Sequence, residues 1–424
     1  MSNELALLGG PPTISKKFEV LNNIGEEEIK SVVDVMNTGM LSKFVGDWEP
    51  EFYGGEKVKE FEQRWSEYFG VKHSISVNSW TSGLICAVGS LDISPQDEVI
   101  VPSWTMAASA SAILVWNAIP VFCDIHPNTF TINPNEIEKK ISDKTKAILA
   151  VDIHGMSADM DEIMLIASKY NLKVISDSAQ AISANYKNRK AGTIADIGGF
   201  SLNRFKHINT GEGGVIITNN DELAERMQLI RNHADAVAAR KGISKINNLI
   251  GFNFRMGEIE AAIGIQQLKK LDGIIMSRKK VANYLTEGIR NLKGLTTPVI
   301  PKDRDHVYYT YPIIINEKEI GVTSKRLCEA LQAEGVSIGS NYINVHLYPT
   351  YTKRIAYGNT GYPWVTNSKS SNITYSVGDC PIAEGYNNSN YLLMDICNYT
   401  YHKKDIELVI QSFSKVWSNL DKLK

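Results

Sequence analysis

Between residues 25 and 220, apolar positions recur with helical spacing in some stretches and bunch into short β-rich runs in others, and the two kinds alternate. Alternation of this kind is expected when parallel strands are joined by crossover helices. Helical spacing covers 25–37 and 55–69, and each stretch is stopped by a glycine, Gly39 and Gly70, able to take the left-handed conformation after the last turn. Strands are predicted at 73–77, 98–101, 120–124, 147–152, 173–176, 197–201 and 214–218. Short strands separated by helices imply one large α/β sheet. From 257 to about 292 the helical pattern runs longer than a usual crossover helix and reads as a bridge to a second unit. The remainder opens with VYYTYPIII, passes through a helix near 324–334 and ends in an amphipathic helix at about 403–420. The expected organisation is an N-terminal arm (1–24), a large α/β domain (25–265), and the bridging helix with a smaller α+β domain (266–424). Two long loops, 44–55 and 357–379, stand outside these elements, and loops of that length are often functional.

The chain has 424 residues, and its 45 Lys and Arg nearly balance its 47 Asp and Glu. A net charge of -2 gives no bulk reason to bind nucleic acid or an anionic membrane, so any anion must be held by a local site. The five cysteines form no CxxC pair, which argues against a disulfide framework or a structural zinc site and fits a reducing cytoplasm. No metal is expected. The first residues, MSNELALLGGPP, lack the basic start of a signal peptide. The most apolar stretch, 99–123, is interrupted by Pro102, Ser103, Thr105, Ser109, Ser111, Asn117 and Pro120, which makes it a poor membrane span.

Candidate chemistry concentrates in three runs. In IGGFSLNRFKHINTGEGGVIIT, Lys206 sits between a strand end and a glycine-rich turn. In VISDSAQAISA, Asp177 ends another apolar strand. Ligands of α/β sheets bind outside the carboxyl ends of the strands, so these two residues can face one crevice. A buried acid and a lysine there suit pyridoxal phosphate, whose lysine forms a Schiff base while the acid keeps the pyridinium nitrogen protonated. The lysine must be able to lose its proton, which partial burial favours. His207 is expected either to assist it or to be structural. In VNSWTSGLICAV, a strand runs into a helix, and Ser79, Trp80 and Thr81 can offer helix N-terminal N–H groups to a phosphate.

Together with GEKVKEFEQRWSEYFGVKH, DEVIVPSWTMAASASAIL, PVFCDI, GFNFRMGEIEAAIGIQQL and the weaker NVHLYPTY and CPIAEG, these runs resemble the DegT/DnrJ/EryC1/StrS sugar aminotransferases over most of the chain. The resemblance implies a fold-type I pyridoxal phosphate enzyme: a large domain with a seven-stranded, mostly parallel sheet, a smaller C-terminal domain, and a homodimer with shared sites. It implies Lys206 as the Schiff-base lysine, Asp177 as the pyridine-nitrogen partner, Gln180 beside the phenolic oxygen, and Ser201, Trp80 and Thr81 on the phosphate. Asn253 is implied as a phosphate contact given across the dimer interface, with Arg255 bracing that interface.

The chain departs from the family pattern where an aromatic residue usually covers the ring. Met106 stands there, and either Met106 or Trp104, two places earlier, is expected over the ring. The glycine usual before Thr81 is Trp80, which is expected to add bulk beside the phosphate, and the His usual after AQA is Ile182. The implied reaction moves an amino group from glutamate or glutamine to a keto sugar, most often nucleotide-linked. Alternatives are a cyclitol or small keto-phosphate acceptor, a sugar 3-dehydratase, or an inactive sugar-binding relative. The dehydratases carry histidine where this chain has Lys206. Candidate substrate residues are His154, His346, Tyr348, Tyr342 and, in the 44–55 loop read as a lid, Trp48 with Phe52 and Tyr53.

Overall fold

The computed structural model describes residues 4–342, 344–366 and 370–424, so part of the 357–379 loop lies outside the described residues. Helices α1 (Glu26–Thr38) and α2 (Glu56–Phe69) end at Gly39 and Gly70, both left-handed with φ of 68° and 66°. The strands that follow are β1 (His73–Val77), β2 (Glu98–Pro102), β3 (Ile119–Cys123), β4 (Thr145–Val151), β5 (Lys173–Asp177), β6 (Ile197–Ser201) and β7 (Gly214–Thr218). They form one sheet in the order β1-β7-β6-β5-β4-β2-β3. β7 is antiparallel to both neighbours, and the remaining pairs are parallel.

Helices cover both faces of this sheet, which is why its strands read as continuous apolar runs rather than as alternating ones. Between β1 and β2 runs α3 (Trp80–Ser90), between β2 and β3 runs α4 (Ala107–Val115), and between β4 and β5 runs α5 (Met160–Lys169). After β7 come α6 (Asp221–Arg231) and α7 (Ala234–Lys241). Ile75, Val99, Leu149, Ile175 and Ile216 share one core with Leu84 of α3 and Met227 of α6. Their strand neighbours point the opposite way: Val215, Ile217 and Phe200 meet Phe61 and Trp65 of α2, while Ile148 and Val174 meet Ile163 of α5.

The long pattern from 257 becomes α8 (Glu258–Ile289). Its early turns meet α1 and α2, where Gln267 donates to Glu28 Oε1 at 2.8 Å, and its last turns lie against the C-terminal helix, where Gly288 faces Ile410. Beyond it, β8 (Leu295–Thr296), β9 (Tyr311–Ile315), β10 (Ile338–Gly339) and β11 (Tyr391–Met394) form an antiparallel sheet in the order β8-β9-β11-β10. This sheet shares a second core with α9 (Ser324–Ala333) and the last long helix, Lys403–Trp417. Among the described residues no helix is long and apolar enough to cross a membrane.

The N-terminal arm is tied to this smaller unit. Glu334 is fully buried and accepts from the N–H groups of Ala6 and Thr13, the Thr13 hydroxyl and the Lys415 ammonium, at 2.7–2.9 Å. Further along, Glu19 and Val20 pair with Thr400 and Tyr399. Replacing Glu334 by Ala leaves the Lys415 charge and two backbone donors without their acceptor. A loss of about 3 kcal/mol is expected in denaturant unfolding, with faster proteolysis of the arm. Unchanged unfolding would show that the arm is held by its strand pairing instead.

Candidate active site

Apart from β7, the strands of the main sheet run in one direction, so their carboxyl ends share an edge with the start of β7. A crevice of about 400 Å³ opens there, lined by Ser79, Trp80 and Thr81 after β1, Met106 after β2, Asp177 and Gln180 at the end of β5, Ser201 ending β6, and Lys206. A second space of about 360 Å³ shares Met106, Gln180, Lys206 and Tyr309 with it and continues to Tyr342, Leu393 and Asp395 of the smaller unit. A third, about 470 Å³, is walled by Val20–Ile24 of the N-terminal arm. The small sheet and the arm thus wall two spaces that share Lys206 with the crevice.

Asp177 is buried on the middle strand. Its Oδ1 accepts from the Trp80 indole at 2.7 Å and from the Ala179 N–H at 3.2 Å, and its Oδ2 accepts from the Ser109 hydroxyl at 2.7 Å. Burial raises its pKa, and these donors and the Lys206 charge act against the rise. Neither Ser109 nor the indole of Trp80 was expected here from the sequence. Small and hydroxyl residues in ASASA give no sign of a partner on another element, and a lone tryptophan gives no sign of which way its ring turns.

From the sequence, Trp80 adds bulk beside the phosphate; in the structure the residue is buried and its indole is turned to Asp177. Ser79 caps α3 by accepting from Ser82 N–H at 3.1 Å, leaving the Trp80 and Thr81 N–H groups at the crevice. Gly214 is needed beside them, since a Cβ there would stand 2.7 Å from the Trp80 nitrogen. The Ser201 hydroxyl and the exposed Thr81 line the same end. Helix N-terminal amides with two hydroxyls make a neutral anion cradle.

Lys206 lies in the loop between β6 and β7, its Nζ 4.1 Å from the centre of the Tyr309 ring. Burial lowers its pKa to about 8, against the opposing pull of Asp177. Gln180 accepts from the His154 N–H at 2.9 Å and donates to the Tyr342 hydroxyl at 3.1 Å. His207 is fully buried with Nε2 2.8 Å from the Val307 carbonyl, the structural one of its two expected roles.

Several expected residues lie elsewhere. Trp104 is fully buried and does not line the crevice; it stacks on Tyr342 at 5.1 Å and donates to His154 Nε2 at 3.2 Å. Met106 occupies the crevice wall, since the chain turns into α4 there and the two side chains part. His154 is buried, held neutral with a pKa lowered to about 3, and its Nδ1 meets Thr310 Oγ1 at 2.7 Å. It supports Gln180 from behind. His346 is fully buried against Glu384 at 3.0 Å, and Tyr348 packs on the main core, so neither faces the crevice; Tyr342 lines the second space.

The 44–55 loop folds onto its own chain. Phe52 is fully buried, and Trp48 packs edge-on to Phe52 and Tyr53 with Lys241 of α7 4.2 Å over its ring. The described part of 357–379 packs on the sheet edge, where Tyr375 donates to the Pro120 carbonyl at 2.8 Å. Asn253 is exposed, outside its own chain's crevice, with Oδ1 held by Arg255 at 2.7 Å.

A mostly parallel sheet with a buried acid and a partly buried lysine at its carboxyl edge defines an enzyme of the aminotransferase fold. The sequence profile of the DegT/DnrJ/EryC1/StrS aminotransferase family matches residues 22–375, and the chain belongs to that family. It is 34% identical over 351 residues to the spore coat polysaccharide biosynthesis protein SpsC of Bacillus subtilis, covering 81% of this chain and 87% of that one. It is 36% identical over 298 residues to the GDP-perosamine synthase of Caulobacter vibrioides, covering 70% and 79%. The aminotransferase of Psychrobacter cryohalolentis superposes with a TM-score of 0.82 at 27% identity, covering 95% of this chain and all of that one. The protein is accordingly a pyridoxal phosphate-dependent transaminase, and the donor set fits the cofactor: an anion cradle at one end, a buried carboxylate at the other and an amine between.

The rate at which Lys206 captures pyridoxal phosphate should rise with pH and level off above about 8, well below the roughly 10.4 of a free lysine. In Asp177→Asn, loss of the negative charge that holds the proton on Lys206 should move the midpoint lower. Stopped-flow absorbance measures both; a midpoint at the free-lysine value, or one that rises in the variant, would contradict the assigned electrostatics.

Proposed function

We propose that this protein transfers an amino group from glutamate or glutamine to a keto sugar carried on a nucleotide, in the making of an amino sugar for a surface polysaccharide or a secondary metabolite. The observation that carries the reading is the placement of Lys206 and Asp177 in one crevice beside the capped start of α3. Two relatives support the acceptor class by name, one through a GDP-linked product and one through polysaccharide biosynthesis.

When bound, pyridoxal phosphate supplies an electron sink that lets a carbon beside the transferred nitrogen lose its proton. The Trp80 and Thr81 N–H groups, with the Thr81 and Ser201 hydroxyls, hold the phosphate. Asp177 would keep the ring nitrogen protonated, Gln180 would hold the phenolic oxygen, and Met106 would lie against the ring. With the cofactor bound, the Lys206 amine would take the proton from the donor's α-carbon as general base and give it up again as general acid; a pKa near 8 suits both roles near neutral pH. In the second half the same amine moves the proton in reverse, onto the carbon of the acceptor. Asn253, exposed and steadied by Arg255, is assigned to the phosphate of a second copy in a homodimer.

The acceptor enters by the second space, whose walls offer Thr310, Asn341, Asp395 and Asn398. Uncharged hydrogen-bonding groups with one carboxylate match the hydroxyls of a sugar better than a second phosphate near the reacting carbon. Retention of lysine at 206 favours amino transfer over dehydration.

The test is to load the enzyme with the aminated cofactor and offer nucleotide-linked keto sugars, cyclitols and keto phosphates in turn. A nucleotide-linked keto sugar should restore the aldehyde-form spectrum; discharge only by a cyclitol or a keto phosphate would replace the acceptor. Lys206→Ala should stay folded and lose about 10²- to 10⁴-fold in turnover, and full turnover in that variant would overturn the mechanism.

A further inference from the structure

The indole of Trp80 has no part in the reading above, which uses only the backbone of this residue. Yet its ring occupies a slot cleared by glycines. A Cβ on Gly199 would come within 2.0 Å of the ring, and one on Gly83 within 2.6 Å. Gly199 is the β6 residue paired with Asp177 on β5, so the ring is brought under the carboxylate by the sheet register itself. As mere filler an indole is a poor choice, because its N–H must find a partner when buried; here the partner is Asp177 Oδ1 at 2.7 Å.

A carboxylate has about four acceptor sites, two on each oxygen. Trp80 and the Ala179 N–H use both on Oδ1, and Ser109 uses one on Oδ2. One remains, on Oδ2, and Asp177 lines the crevice. We propose that Trp80 is a positioning residue for the cofactor: its indole N–H, opposite the Ser109 hydroxyl, holds the Asp177 carboxylate so that Oδ2 presents its remaining acceptor site to the pyridine nitrogen. This deepens the proposed function and rests on it for the ring nitrogen. Trp80 acts through Asp177 and does not itself touch the reacting atoms.

The direct test is Trp80→Phe, which keeps a ring in the glycine slot and removes the N–H. Loss of a hydrogen bond to a charged group should raise the Kd for pyridoxal phosphate about tenfold or more and displace the pH transition of the bound cofactor's absorbance. In an Asp177→Asn background the same change should alter Kd by less than about threefold, since the charged contact to the ring nitrogen that Trp80 positions is already lost there. Equal losses in the two backgrounds would reduce Trp80 to packing and overturn the proposal, as would an unchanged Kd and pH transition in the single variant. A second measurement needs no change at Trp80. Among the seven tryptophans, one indole ¹⁵N–H resonance of the cofactor-free protein should lie at a hydrogen-bonded shift and move in Asp177→Asn; if none moves, the bond is absent. Failure of the unaltered protein to bind pyridoxal phosphate overturns both this proposal and the functional reading, whereas equal binding by Trp80→Phe overturns the proposal alone.

Discussion

The demanding feature of this molecule is a carboxylate buried on the middle strand of its main sheet. Removing a charge from water is costly unless hydrogen bonds replace the hydration shell, and Asp177 finds its donors on three separate segments: the start of α3, the third residue of α4 and the turn after β5. Each donor makes demands in turn. The indole requires glycine at 83 and 199, and the approach of α3 to β7 requires glycine at 214. Much of the small-residue pattern around the crevice follows from satisfying that one acid.

The other end of the crevice is governed by a milder constraint. An anion held by helix N-terminal amides and hydroxyls needs no excess of basic residues, and the balanced charge of the chain agrees with a cradle of that kind. Between the two ends, Lys206 sits where burial loosens its proton without stranding a permanent charge. The smaller sheet and the N-terminal arm supply the remaining walls, so access to the lysine depends on parts of the chain remote from it in sequence.

Most of the main sheet was legible in the sequence, since strands buried on both faces are dense apolar runs and glycine stops mark the helix ends. The predicted strands at 120–124 and 147–152 lie within two residues of Ile119–Cys123 and Thr145–Val151. That Lys206, Asp177, Gln180, Ser201, Thr81 and Met106 gather at one crevice was legible too, through motifs at strand ends and the family resemblance they carry. What could not be read was side-chain direction. Trp104 and Met106 are two positions apart, yet one is sealed under Tyr342 and the other lines the crevice. His154 and His346 stand in segments that approach the site but turn their rings into the protein, and Trp48 and Tyr53 of the 44–55 loop lie under Lys241 of α7.

By itself, then, the amino-acid sequence determined the alternating α/β order, the glycine-marked turns and the candidate acid and amine, because each is written in local periodicity or in a short run of residues. Only the tertiary structure decided which groups hold the acid, which side chains reach the crevice and which parts of the chain wall it. Those outcomes depend on the register of β5 against β6 and on space left by glycines on different elements. A local pattern carries no trace of that space until the elements have packed.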